Sequence, residues 1–352
     1  MRIITKFAYA AVAVACAVGI AGCDQKKAKE YAGPKVAEGA IVAIAGRSAE
    51  TTSLAPLVKQ YKLDGVISPE KMEQLPDKVK GLVKELEIDK LDVKWTAASV
   101  GDLSVVAKDA VPEIGIAMAV TLDLDKFVAA VDKKCKEEKE DVSFNKTTIS
   151  GVQAYEIVAK KNKGVVPCVA SLDGKLVLFA SSADGLAKQI ALYRDGKGES
   201  KDFGAFALGA NDLLRIKAVK VGENVKKSIP DPSMLQMLGT FIPDGDKLVL
   251  GLGDIEFALG ASADGKNVAL DAVVNTASDA DADKLVTFTK TGLMAGTAQF
   301  KKAAEKDADA KLAYDVLQGV KVVCEGKSAK FSASVPAEPA VKMIAEKAKD
   351  IK

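Results

Sequence analysis

The chain has 352 residues, and its 50 Lys and Arg side chains nearly balance its 48 Asp and Glu side chains. This balance gives no indication of a nucleic-acid partner, or of an anionic surface held by bulk charge. Because the sequence contains no histidine, Ser-His-Asp and Cys-His catalysis and His-based metal sites are excluded.

Residues 1–22 have the order of a secretory signal. Arg2 and Lys6 precede an apolar run that is shorter than the ~20 residues needed to span a bilayer. An uncleaved transmembrane anchor is the alternative interpretation.

The signal ends at Ile20-Ala21-Gly22-Cys23, which resembles the lipobox of bacterial lipoproteins. This resemblance implies that residues 1–22 are removed and that Cys23 carries lipid, which would hold the chain at the cell membrane on its extracytoplasmic, periplasmic side. Asp24 resembles the signal that retains some lipoproteins in the inner membrane, so the inner membrane is favoured.

A polar segment, residues 23–38, follows and predicts a lipidated tether. Residues 39–200 then predict a first α+β half. Its apolar patterns predict strands at 39–45, 91–106, 113–122, 142–149, 152–158, 165–172 and 175–180, and helices at 51–61, 68–86, 123–135 and 182–193. Asp173-Gly174 is a two-residue hairpin signal.

The Gly-rich, charged stretch 195–202 predicts a boundary. Residues 201–352 repeat the order of elements, with predicted strands at 203–219, 254–262, 267–275, 320–325 and 329–335 and helices at 223–238, 280–306 and 339–349. The sequence therefore predicts an α+β fold of two pseudo-repeated halves, each a mainly antiparallel sheet with helices packed on one face. It resembles uncharacterised exported lipoproteins with duplicated α+β halves, a resemblance without a functional motif.

Three cysteines follow the one in the lipobox: Cys135, Cys168 and Cys324. Their spacing fits no metal site, and export permits a disulfide, for which Cys135 and Cys168 are the preferred pair. Three idle thiols are the alternative. The acidic run at 278–283 lacks the Gly and Glu of a calcium loop, and there is no phosphate-binding loop. We therefore predict no metal and no cofactor.

One enzyme hypothesis can be built from short motifs. Three of them resemble, in order, those of the penicillin-recognising serine enzymes: Ser68-Pro69-Glu70-Lys71, Ser143-Phe144-Asn145 and Lys290-Thr291-Gly292. The resemblance implies Ser68 as nucleophile with Lys71 as base, Ser143 and Asn145 as a proton relay, and Lys290 at the substrate carboxylate. However, Ser68 also fits a helix N-cap followed by proline, and Lys290 lies inside a predicted helix. We therefore predict no enzyme and keep this family as an alternative.

The leading prediction is a membrane-tethered extracytoplasmic lipoprotein that acts by binding. Its partners would be the membrane, through Cys23, and either an apolar ligand or another envelope component, because the many small apolar residues could line a cavity. A structural or protein-interaction lipoprotein without a ligand is the second interpretation.

Overall fold

The computed structural model describes residues 31, 33–61, 91–108, 110–137, 139–159, 165–204, 206–229 and 244–350. Its strands are β1 (Val42–Gly46), β2 (Val93–Val100), β3 (Ile114–Val120), β4 (Val142–Ile149), β5 (Val152–Ala159), β6 (Cys168–Leu172), β7 (Leu176–Ala180), β8 (Asp212–Ala218), β9 (Leu252–Ala261), β10 (Asn267–Thr276), β11 (Lys321–Glu325) and β12 (Ser328–Pro336).

The helices of these residues have the following bounds: α1 (Ala55–Gln60), α2 (Leu124–Glu137), α3 (Ala183–Asp195), α4 (Val221–Ser228), α5 (Gly245–Leu250), α6 (Asp279–Ala303), α7 (Ala308–Gly319) and α8 (Ala337–Asp350). Short 3-10 helices occupy Ala49–Thr51, Leu103–Lys108 and Lys201–Phe203. The predicted helix at 68–86 lies outside the described residues.

All the described strands form one antiparallel sheet of 12 strands, in the order β11-β12-β10-β9-β8-β1-β2-β3-β7-β6-β5-β4. Hairpins join many neighbours. At the β6–β7 turn, Asp173 (φ 53°) and Gly174 (φ 66°) both have positive φ, as a two-residue hairpin turn requires.

The prediction of two pseudo-repeated halves, each with its own sheet, is wrong. Strand β1 pairs with β8 over its whole length, with Ile44 opposite Ile216, and on its other side it pairs with β2. The sheet therefore continues through the predicted boundary at 195–202. That stretch packs back on the chain, since Glu38 N–H donates to Gly198 O at 2.8 Å and Ser200 N–H donates to Val36 O at 2.8 Å.

The two sides of the sheet differ in chemistry. Because paired residues in a sheet point to the same side, the register defines an aromatic face, whose central row is Tyr155, Val169, Phe179, Ile116, Ala98, Ile44, Ile216, Phe257, Ala272 and Phe331. The opposite side is the alanine face, whose row is Ala154, Ala170, Leu178, Ala117, Ala97 and Ala45, continuing as Arg215, Ala258, Asp271 and Ser332.

The prediction that the helices share one face is also wrong. Leu124 and Val128 of α2 cluster with Tyr155 on the aromatic face, whereas Leu186 and Ile190 of α3 cluster with the alanine row from Ala154 to Ala45. Small side chains along that row let α3 lie close to the strands. Helix α6 packs through Val286 against Val322, Ala329 and Phe331, the last of which lies on the aromatic face.

The junction between tether and body is packed. Tyr31 and Val36, predicted as parts of the tether, contact the main core, where Val36 is buried. The predicted strand at 203–219 reduces to β8. The predicted helix at 280–306 corresponds to α6, whereas α7 was not predicted.

Candidate functional site

A cavity of about 290 Å³ lies on the alanine face, where the ends of β2 and β3 meet the first turns of α3 and residues 37–40. Its polar lining consists of Glu38, Ser99, Asp102, Glu113, Lys188 and Gln189. Gly39, Gly101, Gly115 and Gly185 also line it, so backbone forms much of its wall. The volume is at the lower end of the range typical of small-molecule sites.

Gln189 of α3 is the buried polar residue of this cavity, with 6% of its surface exposed. Its carboxamide lies over Gly115 of β3, and a Cβ atom at position 115 would be 1.9 Å from Gln189 Nε2. Gln189 Nε2 donates a hydrogen bond to Phe179 O at 3.1 Å. Because a carbonyl can only accept, this bond also fixes which end of the amide is the oxygen.

The amide oxygen of Gln189 accepts no hydrogen bond. It is one of five buried side-chain atoms without a partner among the described residues, and the other four belong to Arg47, Thr96, Ser171 and Arg215, none of which lines the cavity. Leaving a buried acceptor unpaired costs about 1–3 kcal/mol. A buried acceptor without a partner requires a structural or functional explanation.

A second, smaller void adjoins the cavity. It measures about 10 Å³ and shares Ala37, Ser99, Gly115 and Gln189 with the larger space, while Lys35 and Tyr193 also line it. A volume of this size is close to that of one water-sized group. The two spaces together therefore offer a narrow recess beside Gln189 and a wider vestibule.

Among the described residues that line the cavity, three carry a carboxylate and one carries an ammonium group. Lys188 Nζ lies 2.9 Å from Glu113 Oε2, so this lysine is already paired with an acid. Glu38 and Asp102 are exposed at the cavity.

The N-terminal segment is held beside the cavity by aromatic residues. Trp95 and Tyr193 stack with ring centroids 6.0 Å apart, and Trp95 Nε1 donates to Tyr31 O at 3.4 Å. Lys35 N–H donates to the Tyr193 hydroxyl, which donates in turn to Lys35 O. Burial raises the pKa of Tyr193. Burial, with the hydrogen bond that Tyr31 donates to Asp173, raises the pKa of Tyr31 to about 12.

Those predicted site residues that the structure describes lie apart from this cavity. Cys23, Ser68 and Lys71 fall outside the described residues. Ser143 and Asn145 are exposed on the edge strand β4, whereas Lys290 and Gly292 lie in α6, which contacts β10, β11 and β12. Nine strand-to-strand steps separate β10 from β4, about 40 Å along the sheet. The structure therefore does not bring the second and third motifs together.

The preferred disulfide is not formed. In the described part of the chain, Cys135, Cys168 and Cys324 are all thiols. The sheet explains this for the preferred pair: Cys168 is buried among the alanine-face residues, whereas Cys135 belongs to α2, which packs on the aromatic face. Burial raises the pKa of the Cys168 thiol to about 11.

The acidic run at 278–283 is the start of α6. Ser278 is its N-cap, and its Oγ accepts from Asp281 N–H at 3.2 Å. Among the described residues, no group of three or more Cys, Asp or Glu side chains is arranged to hold a metal ion.

No protein-family model matches this chain, and no curated protein or solved structure is significantly similar to it.

Among the described residues, no helix combines the length and apolar character that crossing a bilayer requires.

Sequence reasoning did not identify the cavity residues, although two signals point to them. Gly115 interrupts an apolar strand, and a glycine there indicates close approach of another group. Gln189 lies in the helical stripe Leu186, Gln189, Ile190 and Tyr193, whose members are all buried. A polar side chain in a core stripe indicates a specific hydrogen-bonding role.

Proposed function

We propose that this chain is a lipid-anchored extracytoplasmic protein that binds a small ligand in the cavity between β2, β3 and α3, and that it catalyses no reaction. The observation that carries this proposal is the Gln189 carboxamide, which is buried in the cavity wall with an unpaired oxygen. Proteins rarely keep such an acceptor without a partner, and a ligand that donates a hydrogen bond would satisfy it.

The anchoring part of the proposal rests on the sequence. Ile20-Ala21-Gly22-Cys23 resembles a lipobox, and lipid on Cys23 would hold the body at the extracytoplasmic face of the cell membrane. Replacing Cys23 by Ala is expected to prevent lipid attachment and processing. Metabolic labelling with a radioactive fatty acid checks this: the wild-type chain should incorporate label and the variant should not, while label on both would contradict the assignment.

The cavity favours a polar ligand over the apolar one expected from composition. Five of its lining residues carry charged or amide side chains: Glu38, Asp102, Glu113, Lys188 and Gln189. Burying a wholly apolar molecule against these groups would desolvate them without compensation.

Native mass spectrometry of the full chain, purified in detergent from its own host, tests ligand binding. We expect a bound mass that is lost on denaturation. The Gln189→Met variant should lose it, because methionine fills similar space without the acceptor, whereas Ser143→Ala on the distant edge strand should keep it. An unliganded mass for the wild-type chain would count against the proposal.

A second candidate is an interaction lipoprotein, favoured by one feature of the aromatic face. Ile44 lies on β1, in the middle of the sheet, yet it is 40% exposed, and its neighbours in the row are Ile216 and Ala98. A photo-crosslinking residue placed at Ile44 should capture a protein partner in the intact envelope. The same residue at Val323, exposed on the edge strand β11, is the control and should not capture it.

A further inference from the structure

We propose that helix α6 is a self-association surface, through which two copies of this chain pair with their α6 helices antiparallel. The inner side of this 25-residue helix packs on the sheet through Val286. Its outer side carries little charge, because nine residues between positions 287 and 299 are exposed and of these only Lys290 is charged. A helix side that faces water ordinarily carries charged residues, so this outer side has the composition of one that a partner covers.

The outer side of α6 is apolar and uncovered at its centre. Phe288 is 46% exposed and Met294 is 74% exposed. Thr291 Oγ1 donates to Thr287 O at 3.0 Å, so this threonine satisfies its hydroxyl within the helix. A Cβ atom added at Gly292 would have nothing within 4 Å. Exposed apolar side chains grouped in this way are typical of a protein interaction site.

Charge at the two ends of α6 identifies the partner as a second copy. The first turn carries Asp279 and Asp281, and Asp283 follows it. The last turn carries Lys301 and Lys302. A copy that runs antiparallel places an acidic end against a basic end twice, and it also opposes the two helix dipoles. A parallel copy would place like charges together, and an anionic membrane surface would attract one end of the helix and repel the other.

Charges beside the two ends leave this pattern in place. Lys284 Nζ lies 3.6 Å from Asp244 Oδ2, so this lysine is paired within the chain. After the last turn, Glu305 and Lys306 have opposite charges. Asp307 is the N-cap of α7, where the helix dipole stabilises its charge. The acidic and basic ends of α6 are therefore retained.

A two-fold axis gives each copy the same contacts. With the axis between positions 291 and 292, Phe288 of one copy lies opposite Ala295 of the other, and Asp281 lies opposite Lys302. A large ring then meets a small side chain, as close packing between two helices requires. The apolar contact at the centre and the charged contacts at the ends follow from this one alignment.

Carbodiimide crosslinking in the intact envelope tests the arrangement, because this reagent joins a carboxylate directly to a lysine amine. Asp281 and Lys302 are 21 positions apart in α6, about 32 Å along its axis, so a bond between them can form only between two copies. We expect peptide mass spectrometry to detect this bond. Crosslinks from these residues only to another protein, or no crosslink at all, would overturn the proposal.

Two substitutions test the apolar centre, with dimerisation of the full chain in detergent measured by native mass spectrometry over a range of concentrations. Phe288→Lys should raise the dissociation constant at least about tenfold, because it places a charge in the apolar contact. Met294→Lys should raise it severalfold, and it serves as the test if the first variant fails to fold. Val323→Lys on β11, where the native side chain is also 46% exposed, is the matched control and should dimerise like the wild type. A monomeric wild-type chain, or unchanged dimerisation of both test variants, would overturn the proposal.

A further pair of variants tests the charged ends. Lys302→Glu should weaken dimerisation severalfold, and this loss should shrink in high salt. Lys321→Glu makes the same change in net charge on the exposed strand β11 and should have no effect. Equal effects of the two substitutions would overturn the antiparallel arrangement. Gln189→Met should leave the dimer unchanged, since no residue of α6 lines the cavity, so self-association and ligand binding are tested separately.

Discussion

The floor beneath Gln189 leaves no room for a side chain at position 115. Replacing Gly115 by Ala would place a Cβ atom 1.9 Å from Gln189 Nε2, which forces the buried amide to move and breaks its bond to Phe179 O. We expect a loss of about 1–3 kcal/mol in the free energy of unfolding, measured by urea denaturation.

The same measurement on Gly292→Ala is the control for this prediction. Gly292 lies within α6, and a Cβ atom there would have nothing within 4 Å. Alanine should therefore stabilise this helix by about 0.5–1 kcal/mol. Adding Gln189→Ala to Gly115→Ala should recover part of the loss, and a lack of recovery would contradict the proposed collision.

The thiols give a second prediction at the scale of residues. Cys324 is exposed, whereas Cys168 is fully buried and its pKa is raised to about 11. Since the thiolate is the nucleophile, we expect iodoacetamide at pH 8 to alkylate Cys324 at least about 100-fold faster than Cys168 in the folded chain. Peptide mass spectrometry over time checks this. Similar alkylation rates for the two thiols are expected only in denaturant. Similar rates in the folded chain would contradict the buried position of Cys168.

The carboxylate of Asp125 in helix α2 makes polar contacts with side chains of the sheet. Asp125 accepts hydrogen bonds from Tyr155 at 2.7 Å and Gln153 at 2.5 Å, and Lys146 lies 3.5 Å away. The bond from Tyr155, followed by that from Gln153, lowers the pKa of Asp125. Because Asp125 binds its proton less readily in the folded chain, its contribution to stability is present above about pH 4 and is lost as the pH falls below that value.

Replacing Asp125 by Asn should therefore destabilise the chain at pH 7 and should matter less at pH 3. Thermal unfolding at the two pH values measures the difference between wild type and variant. Asp315→Asn in α7, where the carboxylate pairs with Lys311 at 2.8 Å on an exposed surface, is the control and should have a small effect at both. A difference that grew on acidification would contradict the assignment.

The docked N-terminal segment is a further element whose stability depends on one side chain. Tyr193→Phe removes both hydrogen bonds between the hydroxyl and the backbone of Lys35 but keeps the ring stacked on Trp95. We expect a local loss of about 1 kcal/mol, seen in hydrogen exchange as roughly fivefold faster exchange of the Lys35 amide. Tyr314→Phe in α7, which removes a hydroxyl bonded to Gln318, should leave that amide unchanged.

We expect the continuous sheet to make the described part of the chain one folding unit. The pairing of β1 with β8 joins residues 39–200 to residues 201–352, so cutting the chain between them would expose the unpaired edges of two central strands. We expect the intact chain to unfold in a single urea transition and each fragment, expressed alone, to be aggregated or unfolded. Two separate transitions, or two folded fragments, would contradict this.

Local patterns in the sequence were informative where a few neighbouring residues decide the structure. Asp173-Gly174 specifies its hairpin through positive φ at both residues. Ser182 caps the N-terminus of α3 with its side chain, and Gly196 ends the helix in the left-handed conformation. Long-range pairing was not predictable, because Ile44 and Ile216 are separated by more than 170 residues and nothing in either strand specifies the other. The order of hairpins, taken alone, led to the prediction of one sheet in each half.

The faces and the site were missed for a related reason. The side chains of the alanine row are small and alike, so the sequence pattern does not show which side of a strand a helix covers. Helices on both faces therefore could not be distinguished from helices on one face. Gln189 was not recognised as part of the buried stripe of α3, and only the placement of that helix over Gly115 makes its amide a wall of the cavity. A site built from three separate chain segments has no compact sequence motif.

The contact between Tyr31 and the folded body also limits how far that body can lie from Cys23. Seven residues, and hence eight Cα-to-Cα steps, separate Cys23 from Tyr31, so a fully extended tether reaches at most about 29 Å. Tyr31 is bonded to Asp173, at the turn where β7 begins, whereas Gly115 on the cavity floor pairs with Ala180, at the far end of β7. The floor therefore lies about 15 Å further along the strand. With lipid on Cys23, the tether would therefore reach the body near its β6–β7 turn, about 15 Å along the strand from the floor of the cavity in which we propose that a ligand binds.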